Sequence, residues 1–369
     1  MRSLLGKEDD LFLTWNEGEN ACERDTLSAI RALSQEVRND PDGVETYLAL
    51  GNLYRARGDI ERAIQIRNGL IVRPGIDNNM KARIYFELGL DYKRGGLVDR
   101  AFKALDEALA YGGPDEVIRQ EIAMLYADSR NFTMAAKAYD KLGHKVAESY
   151  YLTLIAEEMF TKPDFSEALA CSKRAIRANP KSPEAWLMRV KLAALNVASK
   201  DLQKTLRHAF LNVPEAHQFM LLEGLLAYID DTPETMPEGI RHDLAGWRRE
   251  LAGHIAAAIP TSLDPLLNYY KGLMLLRFGK SHEAGIYFEK SVIANSDLWA
   301  AHLELLSISF AHQNTSPMFK EQLNYFLKEG RKAKLFLCSR CGFTLPRLFF
   351  ACPQCRSWHS ALFKCKLNH

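Results

Sequence analysis

The sequence lacks the features of a secreted or membrane-spanning protein. Its N-terminus, MRSLLGKEDDLFLTW, carries charges at Lys7, Glu8, Asp9 and Asp10, where a signal peptide needs an uninterrupted apolar stretch. No run of about eighteen uncharged apolar residues, the minimum for a membrane-spanning helix, occurs along the chain. We therefore predict a cytoplasmic protein that has neither a signal peptide nor a transmembrane helix.

Cysteine is also scarce. The 369 residues contain seven cysteines, an odd number, and only four of them follow a regular spacing. A disulfide framework of the small secreted kind is therefore not indicated, and a reducing compartment is the better assumption. Cys22 and Cys171 fall within helical patterns and are interpreted as small packing residues.

Sequence motifs of enzymes are missing as well. The chain has no Gly-x-Ser-x-Gly nucleophile motif and no His-Glu-x-x-His metalloprotease motif. Residues 278–281, Phe-Gly-Lys-Ser, contain the last three residues of a phosphate-binding loop motif. That motif also needs a glycine at position 274, where this chain has Met274. The scattered histidines His282, His302 and His312 are interpreted as surface or packing residues. We predict that the protein is not an enzyme.

Acidic residues are absent from the end of the chain. Residues 330–369 contain eight Lys or Arg and no Asp or Glu. Subtracting these eight positive charges from the net charge of +2 leaves −6 for the first 329 residues. The two parts therefore differ in charge, and the basic tail is suited to anionic partners.

Two stretches of the chain repeat one another. Large and small residues recur at i, i+3, i+4 and i+7, which marks one face of a helix, and a later glycine is placed to turn the chain into a second helix. This is the tetratricopeptide pattern, in which each repeat is one helical hairpin. Residues 47–74 and 85–109 superimpose at Tyr47/Tyr85, Leu50/Leu88, Gly51/Gly89, Tyr54/Tyr92, Gly58/Gly96 and Ala63/Ala101.

Weaker copies extend the pattern along the chain. They occupy residues 126–139, 165–180 and 272–291, with degenerate end units at 12–41 and 297–329. The register fades between residues 196 and 262, where DDTPETMPEG is typical of a loop between helices. A single hairpin cannot bury its apolar face alone, so the units must stack into a superhelix whose groove binds protein segments. We predict an all-α tetratricopeptide-repeat superhelix over residues 1–330, with a degenerate part at 196–262.

Two Cys-x-x-Cys pairs stand near the C-terminus, ten residues apart. Each tight turn of this spacing presents two sulfurs, and two such turns make a complete four-thiolate site for a soft or borderline cation. Gly342 follows the first pair, where a positive φ is common. We predict one structural metal ion, zinc or iron, bound by Cys338, Cys341, Cys352 and Cys355.

Four thiolates leave no open coordination position, so the metal should hold the structure and take no part in catalysis. About forty residues cannot build a sufficient core, and the ion would supply folding free energy to a module at 331–369. The residues placed to cover the site are Phe343, Phe349, Phe350 and Trp358. The neighbours interpreted as bystanders are Cys365, His359 and His369. Unligated cysteines and a pair of disulfides are the alternatives.

Repeats followed by this module resemble the lipopolysaccharide assembly protein B family of Gram-negative bacteria. The stretch YLALGNLYRARGDIERAIQIRNGLI resembles the family's best-marked repeat, and the resemblance spans nearly the whole chain. The family's C-terminal module is of rubredoxin type. This chain carries its motif as Cys338, Cys341, Gly342, Phe343, Cys352, Pro353, Cys355, Arg356 and Trp358.

The resemblance implies a non-enzymatic adaptor or scaffold that regulates lipopolysaccharide biosynthesis at the cytoplasmic face of the inner membrane. It also implies two protein partners, the lipid A deacetylase and the membrane-bound ATP-dependent protease that destroys it. The family usually begins with a membrane-spanning helix, whereas this chain begins almost directly in its first repeat. We therefore expect peripheral contact with anionic lipids or a membrane partner through the basic tail.

Two other functions are compatible with the module. A nucleic-acid-binding zinc ribbon would use the eight basic residues and the aromatic residues between them. An iron-loaded module would transfer electrons. The repeats ahead of the module favour protein partners over both, so binding of nucleic acid is the alternative and not the main prediction.

Overall fold

The computed structural model describes residues 19–40, 42–231, 237–311, 313 and 316–366, without the side chains of residues 19–25 and 239. The predicted positions Lys7 to Asp10, His312 and His369, and the side chain of Cys22, lie outside this description. Within these ranges the chain is mostly helical, and its strands lie between Phe336 and Phe363. No helix in these ranges is both long and apolar enough to cross a membrane.

The described residues up to Ala138 form one unit. Within it, α2 packs against α3 and α4 packs against α5, which confirms the hairpins predicted from the two strongest repeats. The helices are α1 (Glu19–Asn39), α2 (Val44–Arg57), α3 (Ile60–Ile71), α4 (Asn78–Arg94), α5 (Val98–Ala110) and α6 (Asp115–Asp128), followed by α7 (Phe132–Lys141), which begins in this unit.

The glycines of the repeat pattern have the two roles that the sequence predicts. Gly58 ends α2 with a φ of 90°, a left-handed conformation that glycine adopts without steric cost. A Cβ added to Gly51 would lie 2.9 Å from the guanidinium of Arg67 on α3. A Cβ added to Gly89 would lie 2.8 Å from the side chain of Leu105 on α5. A larger residue at either position would therefore force the facing side chain of the second helix to move.

A buried ion network joins three helices of this unit. Arg67 and Asp91 are fully buried, and Nε of Arg67 donates to Oδ2 of Asp91 at 2.8 Å. Arg55 donates to Oδ1 of Asp91 at 2.9 Å, and Arg67 also donates to the side-chain oxygen of Asn52 at 2.6 Å. Loss of either fully buried partner would remove the closest opposite charge from the other, so the network ties α2, α3 and α4 together.

The described residues from Tyr139 onward form the second unit. Its helical hairpins include α8 with α9 and α15 with α16. The helices are α8 (Lys145–Thr161), α9 (Phe165–Ala178), α10 (Pro183–Ala193), α11 (Lys200–Asn212), α12 (Glu215–Asp230), α13 (Glu238–His242), α14 (Leu244–Ala258), α15 (Pro265–Phe278), α16 (Ser281–Ala294), α17 (Trp299–Ala311) and α18 (Pro317–Lys332), with a short 3-10 turn at Ala194–Asn196.

The part in which the repeat pattern fades is also helical. Helix α12 packs against α10, α14 and α15, and it buries side chains on all sides. A helix enclosed in this way does not need the one-sided apolar pattern of a repeat, which explains why the periodicity is lost there. Its buried apolar residues are Phe219, Met220, Leu221, Leu222, Leu225, Leu226, Tyr228 and Ile229.

The secondary structure changes from helix to strand near the predicted boundary at residue 330. After α18 the chain forms β1 (Phe336–Cys338), β2 (Thr344–Leu345) and β3 (Ala361–Phe363). The three strands make an antiparallel sheet in the order β2-β1-β3. The predicted fold class, helical repeats followed by a small four-cysteine module, is confirmed. The division of the chain into domains at 330/331 stays a prediction.

Candidate metal centre

The four predicted cysteines come from two similar turns. Cys338 ends β1, and the amide of Gly342 donates to its carbonyl at 3.0 Å. In the second turn the amide of Arg356 donates to the carbonyl of Cys352 at 2.9 Å. Gly342 has a φ of 75°, as the sequence predicts, and Arg356 takes the equivalent position with a φ of 58°. Each turn presents its two sulfurs toward the other.

Backbone amides surround the sulfurs in the same way in both turns. The first sulfur of each pair accepts two N–H groups, and the second accepts one. The donors are Arg340 and Cys341 to Cys338, Gln354 and Cys355 to Cys352, Phe343 to Cys341, and Ser357 to Cys355. Such hydrogen bonds favour the thiolate, which is the form that binds a metal.

The spacing of the sulfurs suits a metal ion. Sγ of Cys338 lies 3.6 Å from Sγ of Cys355, and Sγ of Cys341 lies 3.7 Å from Sγ of Cys352. All four sulfurs lie within 4.8 Å of one another. Metal–sulfur bonds of about 2.3 Å in a tetrahedral site place the sulfurs roughly 3.8 Å apart. The four cysteines could therefore hold one metal ion, and such a site has no position left for a substrate.

Two buried serines contact the sulfurs. Ser360 Oγ lies 3.3 Å from the sulfur of Cys338, and Ser357 Oγ lies 3.1 Å from that of Cys355. Burial alone would raise the pKa of Cys338, but hydrogen bonds from Ser360, the amide of Cys341 and Ser357 outweigh it and lower the pKa to about 5. Burial raises the pKa of Cys352. Four thiolates this close together need a cation to balance their charge.

The other residues that the sequence singled out lie in different surroundings. Phe349 is buried, and Phe343 and Phe350 pack against the same apolar cluster. Cys171 is buried in α9, as predicted for a packing residue. Cys365 is half-buried and does not belong to the sulfur cluster.

The predicted surface histidines and the apparent phosphate-binding loop have ordinary structural places. His282 and His302 are exposed. The segment Phe278 to Ser281 is the turn between α15 and α16, where Gly279 has a φ of 95°. It is therefore a repeat turn of the same kind as that at Gly58.

The sheet of the module packs onto helices of the second unit, a contact that sequence spacing did not indicate. Phe336 is fully buried, and the ring of Phe363 lies 6.1 Å from that of Tyr269 on α15. The indole N–H of Trp299 donates to the carbonyl of Lys364 at 3.2 Å. The apolar residues of the sheet therefore belong to the same core as the repeats around them.

Several basic residues of the tail form ion pairs. Their acidic partners lie in the part of the chain that precedes the tail, so the basic tail and the acidic part of the chain are in contact within the second unit. Three of these pairs join Arg331 to Glu304, Lys334 to Glu223, and Lys366 to Asp297, and a fourth joins Lys332 to Glu329 within α18.

Comparison with known proteins gives consistent matches. A tetratricopeptide repeat family model matches residues 23–73. The chain is 23% identical to lipopolysaccharide assembly protein B of Escherichia coli strain K12 over 335 residues, which cover 87% of this chain and 81% of that protein. It is 21% identical to the protein of the same name from Haemophilus influenzae, over 95% of this chain and 86% of the relative.

A solved structure is also similar. It is a tetratricopeptide repeat protein from Parabacteroides merdae, which is 16% identical over 72% of this chain and 98% of its own, with a TM-score of 0.33. The curated relatives share most of the length of this chain. The resemblance that the repeat and cysteine motifs indicated is confirmed by these relatives.

Proposed function

We propose that this chain, as a relative of lipopolysaccharide assembly protein B, is a non-enzymatic adaptor that regulates lipopolysaccharide biosynthesis. The observation that carries the proposal is the similarity to these relatives over 87% of the chain, together with the helical repeats and the cysteine cluster that the structure contains. Helical repeats of this kind bind protein segments. A closed four-sulfur site is suited to structure and offers no open position for catalysis.

One zinc or iron ion bound by Cys338, Cys341, Cys352 and Cys355 is part of the proposal. The ion would balance the charge of four thiolates and fix the two turns. The chain itself supplies the amide and serine hydrogen bonds to the sulfurs. Elemental analysis after reducing, chelator-free purification should give about one zinc or iron per chain, and visible absorption should distinguish iron from zinc. Less than about half an equivalent would contradict the metal site.

The proposed partners are the lipid A deacetylase and a membrane-bound ATP-dependent protease, which the adaptor would bring together. An adaptor raises the local concentration of one bound partner near another, so that two weak contacts suffice. The proposed location is the cytoplasmic face of the inner membrane.

Binding of nucleic acid is less well supported than binding of proteins. Stacking on bases needs exposed aromatic rings. Phe336, Phe349 and Phe363 are instead buried in the core of the second unit. Basic residues such as Arg331 and Lys366 are engaged with acidic side chains, which reduces the charge available to phosphates.

Affinity purification from the native bacterium in mild detergent tests the adaptor proposal. The wild-type chain should recover the deacetylase and the protease, and a Cys338→Ser/Cys341→Ser variant should lose at least one of them. Cys365→Ser is the matched control because this thiol lies outside the cluster. Recovery of RNA in place of these proteins would contradict the adaptor proposal and favour the nucleic-acid alternative.

A further inference from the structure

A short hairpin links the second cysteine turn to the helical repeats. The amide of Cys352 donates to the carbonyl of Ser357 at 2.9 Å, and the amide of His359 donates to that of Phe350 at 2.8 Å. The loop that closes this hairpin is the Cys352–Cys355 turn itself. Trp358 and His359, here called the tip, therefore stand on a hairpin whose closed end carries two of the four sulfurs.

The aromatic half of the tip lies among rings of α7 and α8. The indole of Trp358 lies 5.1 Å from the imidazole of His144, between ring centres, and 6.3 Å from the ring of Tyr139 in an edge-to-face arrangement. Tyr139 in turn stacks on Tyr151 at 5.4 Å. Such aromatic contacts add to the stability that comes from the burial of apolar area.

The polar half of the tip meets a buried carboxylate of α10. Nε2 of His359 lies 2.8 Å from Oε2 of Glu184, and these side chains are only 11% and 4% exposed. Oε1 of Glu184 has no hydrogen-bond partner among the described residues. The imidazole of His217 on α12 lies 5.4 Å from that of His359. The tip thus lies against α7, α8, α10 and α12.

The backbone of this hairpin is held in an unfavourable conformation. Arg356 and His359 have φ values of 58° and 53°, in the left-handed region that residues other than glycine seldom adopt. Such strain persists only where the surrounding structure fixes it. A two-stranded hairpin of this length is marginal alone, so the ligation of Cys352 and Cys355 is the natural restraint at its closed end.

The module is attached to the repeats by a second, independent set of contacts on its sheet side. These contacts involve Phe336, Phe363 and the carbonyl of Lys364, and none of them passes through the hairpin. Loss of the restraint at the cysteines should therefore affect the tip and the sheet side differently.

We propose that metal binding at the four cysteines latches the tip, Trp358 and His359, onto α7, α8 and α10, and that metal loss releases the tip while the sheet side stays attached. The inference rests on the proposed metal site. Release of the tip would expose the rings of Tyr139 and His144 and the carboxylate of Glu184 to solvent. The metal would thereby control access to one face of the repeats.

Fluorine NMR of the full chain labelled with 5-fluorotryptophan and loaded with zinc tests the latch. The five tryptophans give separate reporters, each assigned by its Trp→Phe variant. Trp358 reports on the tip and Trp299 on the sheet side. Trp186 and Trp247 are controls, because their indoles donate to carbonyls within the repeats.

Zinc removal by a chelator under reducing conditions should move the Trp358 resonance to the position of solvent-exposed 5-fluorotryptophan, with the resonances of Trp186, Trp247 and Trp299 unchanged. A Trp358 resonance that stays in place after elemental analysis finds the zinc gone would overturn the latch. Movement of Trp299 together with Trp358 would overturn it too, because the whole module would then have left. Protein that binds no zinc at the outset would refute the metal site, and the latch with it.

Glu184→Gln provides a second test with the metal in place. The amide keeps the shape of the side chain but removes the charge that faces His359, so the Trp358 resonance should broaden or shift toward the free position at unchanged zinc content. Lys366→Ala, which removes an exposed ion pair with Asp297 elsewhere on the module, is the control and should leave Trp358 unaffected. If the Trp358 resonance is the same in Glu184→Gln and Lys366→Ala, Glu184 does not hold the tip.

Discussion

Gly272→Ala should destabilise residues 139–369, although alanine favours a helix more than glycine does. Gly272 lies within α15, where an added Cβ would stand 2.6 Å from Cε1 of Phe288 and 2.8 Å from Cδ1 and Cζ. These distances are about 1 Å shorter than a normal carbon–carbon contact. Phe288 is fully buried in α16, so its ring has little space into which to move.

The magnitude follows from two opposing effects. Overpacking a core costs about 1–3 kcal/mol, and contact with a fully buried ring places this variant in the upper half of that range. Alanine recovers up to about 1 kcal/mol through its helix propensity. The expected net loss is about 1–2 kcal/mol. Gly285→Ala in α16 is the matched control, since its Cβ would meet nothing within 4 Å, and it should gain about 0.5–1 kcal/mol.

Urea unfolding of the metal-loaded full chain, followed by circular dichroism, measures the difference. With a slope near 3 kcal/mol per molar urea, Gly272→Ala should lower the midpoint by roughly 0.3–0.7 M, whereas Gly285→Ala should raise it. Midpoints are the quantity to compare because repeat arrays depart from two-state unfolding. If both variants raise the midpoint, the claim that Gly272 is needed to leave space for the ring of Phe288 is refuted.

Asp91→Ala should lower the free energy of unfolding by about 3–5 kcal/mol because it removes the carboxylate closest to the buried Arg67, whereas Arg83→Ala removes an exposed pair and should cost under about 1 kcal/mol. Equal urea midpoints for these two variants would refute the buried network. Burial and the nearby His359 lower the pKa of His217, so the unfolded chain binds more protons and stability falls as pH drops below about 6.5. His217→Asn should therefore lose less stability than the wild type between about pH 7.5 and 5.5, and equal losses in the two urea series would contradict this. A chelator should release about one metal ion per chain and increase hydrogen exchange in residues 350–359, the hairpin that carries the tip; unchanged exchange there after measured metal loss would argue against a structural ion.

The features that sequence predicted are those with a local signal. The repeat pattern located the hairpins because large residues, small residues and turn glycines recur within one helical pair, as at Gly51 and Gly58. The cysteine spacing predicted the sulfur cluster because each Cys-x-x-Cys turn brings two sulfurs together without help from the rest of the fold. Gly342 adopts the positive φ that its position in the turn requires.

The features that sequence did not predict depend on residues far apart in the chain. Arg67 and Asp91 look like ordinary surface charges in their helices, and only the packing of α3 against α4 buries them together. No local pattern indicates the contact between His359 and Glu184, because the two residues lie 175 positions apart. The repeat pattern is not visible in α12 because other helices enclose this helix. It therefore has no polar face that would alternate with an apolar one.

The adaptor role is tested most directly in the bacterium that encodes this chain, by the steady-state level of the lipid A deacetylase together with total lipopolysaccharide. The deletion strain should be compared with strains that carry the wild-type, Cys338→Ser/Cys341→Ser and Cys365→Ser genes. We expect the deacetylase and lipopolysaccharide to rise in the deletion strain and in the double variant, and to be normal with the wild type and Cys365→Ser. Deacetylase and lipopolysaccharide levels that are the same in all four strains would contradict the proposed function.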